Sequence, residues 1–297
     1  MGDAATIEST GVLARMAEAG RLGDLVAPTS AARADLEAAG RRYARPLHVE
    51  ICGRPGTGRD TLARAMRERL AVSAIGPGES TGPAADADLW IHLLGGPPRR
   101  ADHDLLSSLP ADRTIVVLGK ADTHGEPSVA AAVAADCARS LGVEVPAVSP
   151  LLACSDLADE EFVYLRRLAA AGAKMPPMTG RFLTGTLAEG PDRPGSEPSG
   201  GDERALRTGL LRRIDRFGIA TALRLIAAGG PAGGSAGALN RALHELSRLD
   251  RLVPPIRGRV ERVRFWRLAE LRAALELTAA RGHDRETIEH LLRAGGV

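Results

Sequence analysis

Apolar positions recur along this chain with two different periods, and the two alternate. Residues 46–52, 89–94, 114–118 and 143–148 are short apolar runs bounded by Gly, Pro or Asp, the signature of buried strands. Pro146 interrupts the last of them. Between the runs the period lengthens. Leu62, Ala65, Met66 and Leu70 fall on one face of a predicted helix over 59–70, a short helix is expected around 102–109, and an Ala-rich one over 127–141. Residues 73–86, rich in Gly, Pro, Ser and Ala, read as a loop, and 157–172 as a helix. Strands alternating with helices predict the α/β class, a parallel sheet covered on both faces.

The flanks carry only the helical period. Residues 5–41 read as two short helices split near Pro28-Thr29-Ser30. Five prolines between 176 and 198, among glycines and serines, mark 173–201 as a linker or mobile loop. Leu206, Leu210, Ile214, Phe217, Ala220, Leu223 and Ile226 then predict one long helix over 202–228. Helices follow over 238–252 and 258–281, parted by Pro254-Pro255, and a last one over 284–294 with Asp284 as its cap. The expected domains are 1–45 (N-terminal helices packing with the C-terminal bundle), 46–172 (α/β), the linker 173–201, and 202–297 (helical).

Composition narrows the function classes. The 297 residues are 44% hydrophobic, enough for a substantial core, but only 3% aromatic. A net charge of +2 gives no bulk electrostatic case for nucleic acid, which is not an expected partner. Lys120 and Lys174 are the two lysines, against 37 arginines, a bias that fits drift in a GC-rich genome. Cys52, Cys137 and Cys154 have no metal-like spacing and fit reduced thiols in a cytosol. No apolar run approaches the ~20 residues that span a bilayer. The expected location is cytoplasmic, with peripheral contact at the inner membrane face through 257–267, where five arginines surround Phe265 and Trp266.

The candidate chemistry lies just after the first strand, at Gly53-Arg54-Pro55-Gly56-Thr57-Gly58-Arg59-Asp60-Thr61. The two glycines of G-x-x-x-x-G-K-[ST] stand five residues apart between a predicted strand and a predicted helix, the context of a phosphate-binding loop. Gly53, Gly56 and Gly58 let backbone N–H groups, Thr57 among them, curl around a phosphate at a helix N-terminus. Arg59 replaces the lysine, keeping charge but not shape. Asp60 replaces the magnesium-binding hydroxyl; a carboxylate there repels triphosphate unless Mg²⁺ lies between, which makes Asp60 the candidate metal ligand. Thr61 stands one position late for the metal contact. The plainer reading is a tight strand-to-helix turn without a ligand.

Three segments resemble, in order, those of a P-loop GTPase domain. After the glycine turn comes Ala87-Asp88-Leu89-Trp90-Ile91-His92-Leu93-Leu94-Gly95-Gly96, similar to the strand that follows the second switch. Then Ile115-Val116-Val117-Leu118-Gly119-Lys120-Ala121-Asp122 resembles the strand ending in Asn/Thr-Lys-x-Asp, with Gly119 in the first motif position. Val148-Ser149-Pro150-Leu151 resembles the loop that supports the base. The resemblance implies guanine recognition by Asp122, packing of Lys120 over the base, support from Ser149, and GTP or GDP with Mg²⁺ as ligand. Residues 33–46, running into the first strand, resemble the helical lead-in of bacterial dynamin-like GTPases, which pack helices from both flanks into one bundle. The expected fold is thus a reduced P-loop NTPase-like parallel sheet plus a helical bundle built from both termini.

The departures weigh on activity. The first switch and the Asp-x-x-Gly second switch are not recognisable between Thr61 and Asp88, and Thr81 is the one threonine to offer for a switch. Hydrolysis of GTP needs Mg²⁺, a placed water and charge stabilisation. His92 reads as a core or edge histidine, and His103 and His124 as solvated loop residues. The leading expectation is a catalytically impaired, GTPase-like protein that binds guanine nucleotide weakly or not at all. It would partner a dynamin-like GTPase or self-associate through its helices. The alternatives are an active NTPase that uses Arg59 and Asp60, and a nucleotide-free interaction scaffold.

Overall fold

The computed structural model describes residues 3–77, 79, 87–185 and 201–294. Its helices and strands, in chain order, begin with α1 Asp3–Glu18, α2 Arg33–Ala44, β1 His48–Cys52, α3 Arg59–Leu70, β2 Ser73–Ile75 and β3 Leu89–Leu94. Next come α4 Arg100–Ser107, β4 Thr114–Leu118, α5 Pro127–Leu141, α6 Pro150–Ala153, α7 Asp159–Ala170 and α8 Thr179–Thr184. The chain closes with α9 Gly201–Ala227, α10 Ala236–Leu246, α11 Val253–Ala280 and α12 Arg285–Ala294. It divides into two units, one of residues 49–256 and one of residues 1–48 with 257–297.

The larger unit is α/β. Its four strands lie in the order β2-β1-β3-β4. β1 pairs in parallel with β3, Ile51 opposite Ile91, and β3 in parallel with β4, His92 opposite Val116. Every residue of β3 and of β4 is buried, which is why these segments read as near-continuous apolar runs, broken by His92 in β3 and opened by Thr114 in β4, rather than alternating ones. The predicted strand over 143–148 is reduced to a single parallel bridge, Leu118 to Ala147, because Pro146 has no N–H to give the ladder. It still extends the sheet: Leu118 N–H donates to Pro146 O at 2.9 Å and Val148 N–H to Leu118 O at 2.9 Å. β2 lies inside the segment expected to be a loop. Thr81 lies outside the described residues.

The expected domain boundary at residue 202 is not where the chain divides. Leu210, Ile214, Ile219, Leu223, Leu239 and Leu243 of α9 and α10 share one core with Leu152, Phe162, Leu165 and Phe182. These helices therefore belong with the sheet. Part of the expected linker also belongs here, since α8 lies within it and its Phe182 is fully buried. Residues 186–200 of that linker lie outside the described residues. The expected long helix over 202–228 is interrupted: Asp215 adopts φ 50° and ψ −171°, so α9 is two helices meeting at one residue.

The smaller unit is helical. Leu13, Ala17, Leu22 and Leu36 from the N-terminal side pack with Leu271, Leu275, Ala279 and Ile288 from the C-terminal side. Arg267 donates to the carbonyls of Tyr43, Arg45 and Pro46, and the Ser30 hydroxyl to the Asp284 carboxylate. Pro254 and Pro255 fall in the first turn of α11, where a missing N–H breaks no intrahelical bond, so they start this helix rather than separate two. Phe265 and Trp266 stand exposed on α11 as an edge-to-face pair, ring centroids 6.2 Å apart. Among the described residues no helix is long and apolar enough to cross a membrane.

Candidate functional site

The chain passes from β1 to β2 on one side of the sheet, then crosses to β3 on the other side of β1. Loops leaving β1 and β3 thus diverge, and in open α/β sheets ligands sit outside the carboxyl ends of the strands at such a reversal. The glycine turn follows β1 at this point. Gly53 takes φ 132°, and a Cβ there would stand 2.5 Å from Leu93 O, so the turn runs too close to β3 for any side chain. Gly56 and Gly58 also have positive φ, 80° and 96°. Gly58 is the N-cap of α3 and, as a glycine, brings no side chain to cap it. Thr57 is buried and its hydroxyl donates to Arg54 O at 2.9 Å, closing the turn.

A second loop approaches from β4. Gly119 packs against Leu93, where a Cβ would lie 2.9 Å from the Leu93 Cδ1. Lys120 takes the left-handed conformation, φ 55°. Its stem reaches back to the glycine turn: Lys120 Cε lies 4.0 Å from where a Gly58 Cβ would be. Asp122 N–H donates to the Ser149 hydroxyl oxygen at 2.8 Å, and Ala121 N–H to Val148 O at 3.1 Å, so the 147–149 segment holds the Asp122 loop from behind.

The two loops enclose one cavity of about 570 Å³. Gly56, Thr57, Gly58, Arg59, Asp60 and Thr61 line one part of it, and Lys120, Asp122 and Thr123 another. Pro150, Leu151, Asp215 and Phe217 complete the lining. Ser149 does not line it; that side chain borders a smaller cavity of about 100 Å³ behind Asp122. Gly53, packed against Leu93, is not among the residues that line it. Asp60 presses its carboxylate on the end of β2, where a Cβ on Gly76 would come within 2.4 Å of the Asp60 Oδ1.

Asp215 and Phe217 were not foreseen as site residues. Asp215 enters because α9 breaks there. Its carboxylate accepts from Phe217 N–H at 2.6 Å and so caps the second half of the helix. Burial pushes the Asp215 carboxyl above its ordinary range and the neighbouring Asp122 charge adds to this, against the backbone hydrogen bonds from Phe217 and Gly218. The available signal was an Asp, which tolerates left-handed φ and caps helices, inside an otherwise apolar helical period.

A second constellation lies under the glycine turn. His92, fully buried in β3, places Nε2 3.1 Å from Asp102 Oδ1, and Cys52 Sγ is 3.8 Å from His92 Nδ1. Asp102 Oδ2 accepts from Arg54 Nε and from Arg99 N–H, both at 2.8 Å. The order Cys–His–Asp has the outline of a nucleophilic triad. Its electrostatics oppose that role. Burial, reinforced by Glu50, pushes the Cys52 thiol up to about 12, so it stays protonated at neutral pH. Burial likewise lowers His92, against the pull of Asp102, and the ring stays neutral. Burial would raise Asp102, but hydrogen bonds from Arg99, Arg54 and His92 outweigh it and hold the carboxyl below its usual range. What this network does is anchor Arg54, and with it the glycine turn, to β3 and α4.

Sheet, cavity and lining together define an open parallel α/β protein with a ligand-sized cleft at the strand carboxyl ends. Comparison of the chain with protein-family models, with curated proteins and with solved structures finds no match in any of the three.

Proposed function

We propose that the larger unit is a P-loop, GTPase-like module that binds guanine nucleotide in the cavity between the glycine turn and the Lys120–Asp122 loop, and that it turns nucleotide over slowly. One observation carries this reading: the glycine turn, which ends at Thr61, and Lys120 and Asp122, which follow it by 59 residues or more, line the same hollow. A polyphosphate fits the N-terminus of α3, where the N-cap is a glycine and backbone N–H groups and the helix dipole favour an anion. Arg59 adds positive charge at that end. The base then lies toward Asp122, whose carboxylate accepts from the adjacent N–H donors of guanine, a donor pair that adenine lacks.

Slow turnover follows from the residues at the phosphate end. Asp60 takes the place of the hydroxyl that holds Mg²⁺, and its carboxylate is packed on Gly76. Asp60 is the cavity's candidate metal ligand, and Mg²⁺ bound there would neutralise charge on the phosphates. Among the described residues no group of three or more His, Cys, Asp or Glu is placed to hold a metal. A binding module with weakened catalysis fits a partner of a competent GTPase, the role that the dynamin-like resemblance of the flanks suggests.

The test is a thermal melt of the full chain with GTP, GDP or ATP, each with Mg²⁺, followed by a phosphate-release assay. A guanine nucleotide at ~100 times its dissociation constant should stabilise the chain by about 2.7 kcal/mol. ATP should not, and phosphate release should stay near background. No shift with any nucleotide, or an equal shift with ATP, refutes the proposal.

A further inference from the structure

We propose that Asp215 is a second base-reading carboxylate, accepting the hydrogen of the guanine 2-amino group that Asp122 leaves unused, with Phe217 as the apolar wall beside it. The inference rests on the nucleotide reading above and deepens it. Guanine presents three hydrogens along one edge, the N1–H and two on the exocyclic amine. A single carboxylate has two oxygens and takes the N1–H with one amino hydrogen. The third hydrogen needs another acceptor or water.

The cavity supplies one. Asp122 and Asp215 line it together with Lys120 and Phe217, while the other arm of the lining is the glycine turn at the phosphate end. Asp215 arrives there through a strained backbone. Its φ of 50° and ψ of −171° interrupt a helix of 27 residues, and no glycine or proline sits at the break. The Phe217 N–H uses one of the carboxylate's lone-pair positions at 2.6 Å, and the Gly218 N–H also bonds to it, which leaves capacity for a further donor. Two carboxylates facing one hollow repel each other, and a ligand that brings hydrogen-bond donors between them relieves that repulsion. Guanine, with three donors in a row, fits this better than hypoxanthine, which keeps the N1–H and lacks the amine.

The experiment titrates the full chain with GDP and with IDP by calorimetry. Wild type is compared with Asp215→Gly, since glycine accepts positive φ and is nearly as good a cap. A charge-assisted hydrogen bond is worth roughly tenfold in affinity or more. Both carboxylates take an amino hydrogen that IDP lacks, so wild type should prefer GDP to IDP by about a hundredfold, and Asp215→Gly should shrink that ratio to about tenfold, the share of Asp122, by weakening GDP alone. Should the glycine variant fail to fold, Asp215→Asn keeps cap and size, and the same narrowing by at least about threefold is expected of it. An unchanged ratio, or equal loss of GDP and IDP, overturns the role of Asp215 while leaving the nucleotide site standing. Failure of wild type to bind either nucleotide overturns both.

Discussion

Replacing Asp102 by alanine should cost the α/β unit about 3–4 kcal/mol, through the glycine turn as much as through the core. The carboxylate is fully buried and takes three donors: Arg54 Nε and Arg99 N–H at 2.8 Å, and His92 Nε2 at 3.1 Å. Removing one member of a buried ion pair costs roughly 3–5 kcal/mol. The Arg54 side chain is 24% exposed and regains some water, which puts this term at the lower end, about 3 kcal/mol. The lost acceptor for Arg99 N–H at the start of α4 adds about 1 kcal/mol. The assay is urea unfolding followed by Trp90, which is buried in β3 beside His92. A Trp266→Phe background leaves Trp90 as the sole indole, since the chain has two tryptophans. With a slope of about 2–3 kcal/mol per M, the midpoint should fall by about 1–2 M. A double-mutant cycle with Arg54→Ala should give a coupling of about 1 kcal/mol or more. A loss under 1 kcal/mol, or coupling within about 0.5 kcal/mol of zero, would refute the view that Asp102 anchors the turn.

Gly53→Ala meets the Leu93 carbonyl at 2.5 Å in a backbone region that L side chains avoid, and should destabilise by about 2–6 kcal/mol; a melting temperature within 2 °C of wild type would show that the turn is loose. Phe182→Ala empties a fully buried position between α8 and α9 and should cost about 3–5 kcal/mol by urea unfolding, whereas a loss below 1 kcal/mol would mean that α8 does not belong to this core. His92 and His244 are both lowered by burial, so folding favours the neutral rings: their contribution is complete above about pH 6.5 and is lost as pH falls below it. Stability at pH 5.5 should therefore be lower than at pH 7.5, and His92→Asn should flatten that slope in part; an unchanged slope sinks the assignment.

Local sequence carried the α/β class because its physics is local. Leu89–Leu94 is apolar but for His92, and Thr114–Leu118 is apolar after its first residue, as a strand buried on both faces favours. The glycine turn was equally legible, since positive φ at 53, 56 and 58 is open mainly to glycine. The α5 helix, Pro127–Leu141, follows its alanine-rich period and begins with proline, as a first helical turn allows. β2, three residues long, is too short for any period to show.

Tertiary structure decided what depends on neighbours distant in sequence. Amphipathic helices after residue 202 all look alike in pattern, and nothing in their period says which core a face will meet. Leu210 and Leu239 meet the sheet unit, whereas Leu271 and Ile288 meet Leu13 and Leu36. The break at Asp215 is largely a tertiary outcome: an Asp can take left-handed φ and cap a helix, but the apolar period runs on through it and does not place a break there. The buried Arg54–Asp102–His92 chain joins three segments through hydrogen bonds that no spacing announces. Periodicity is written by the nearest few residues, while the meeting of two helix faces or two loops is settled by the sum of contacts over the folded chain.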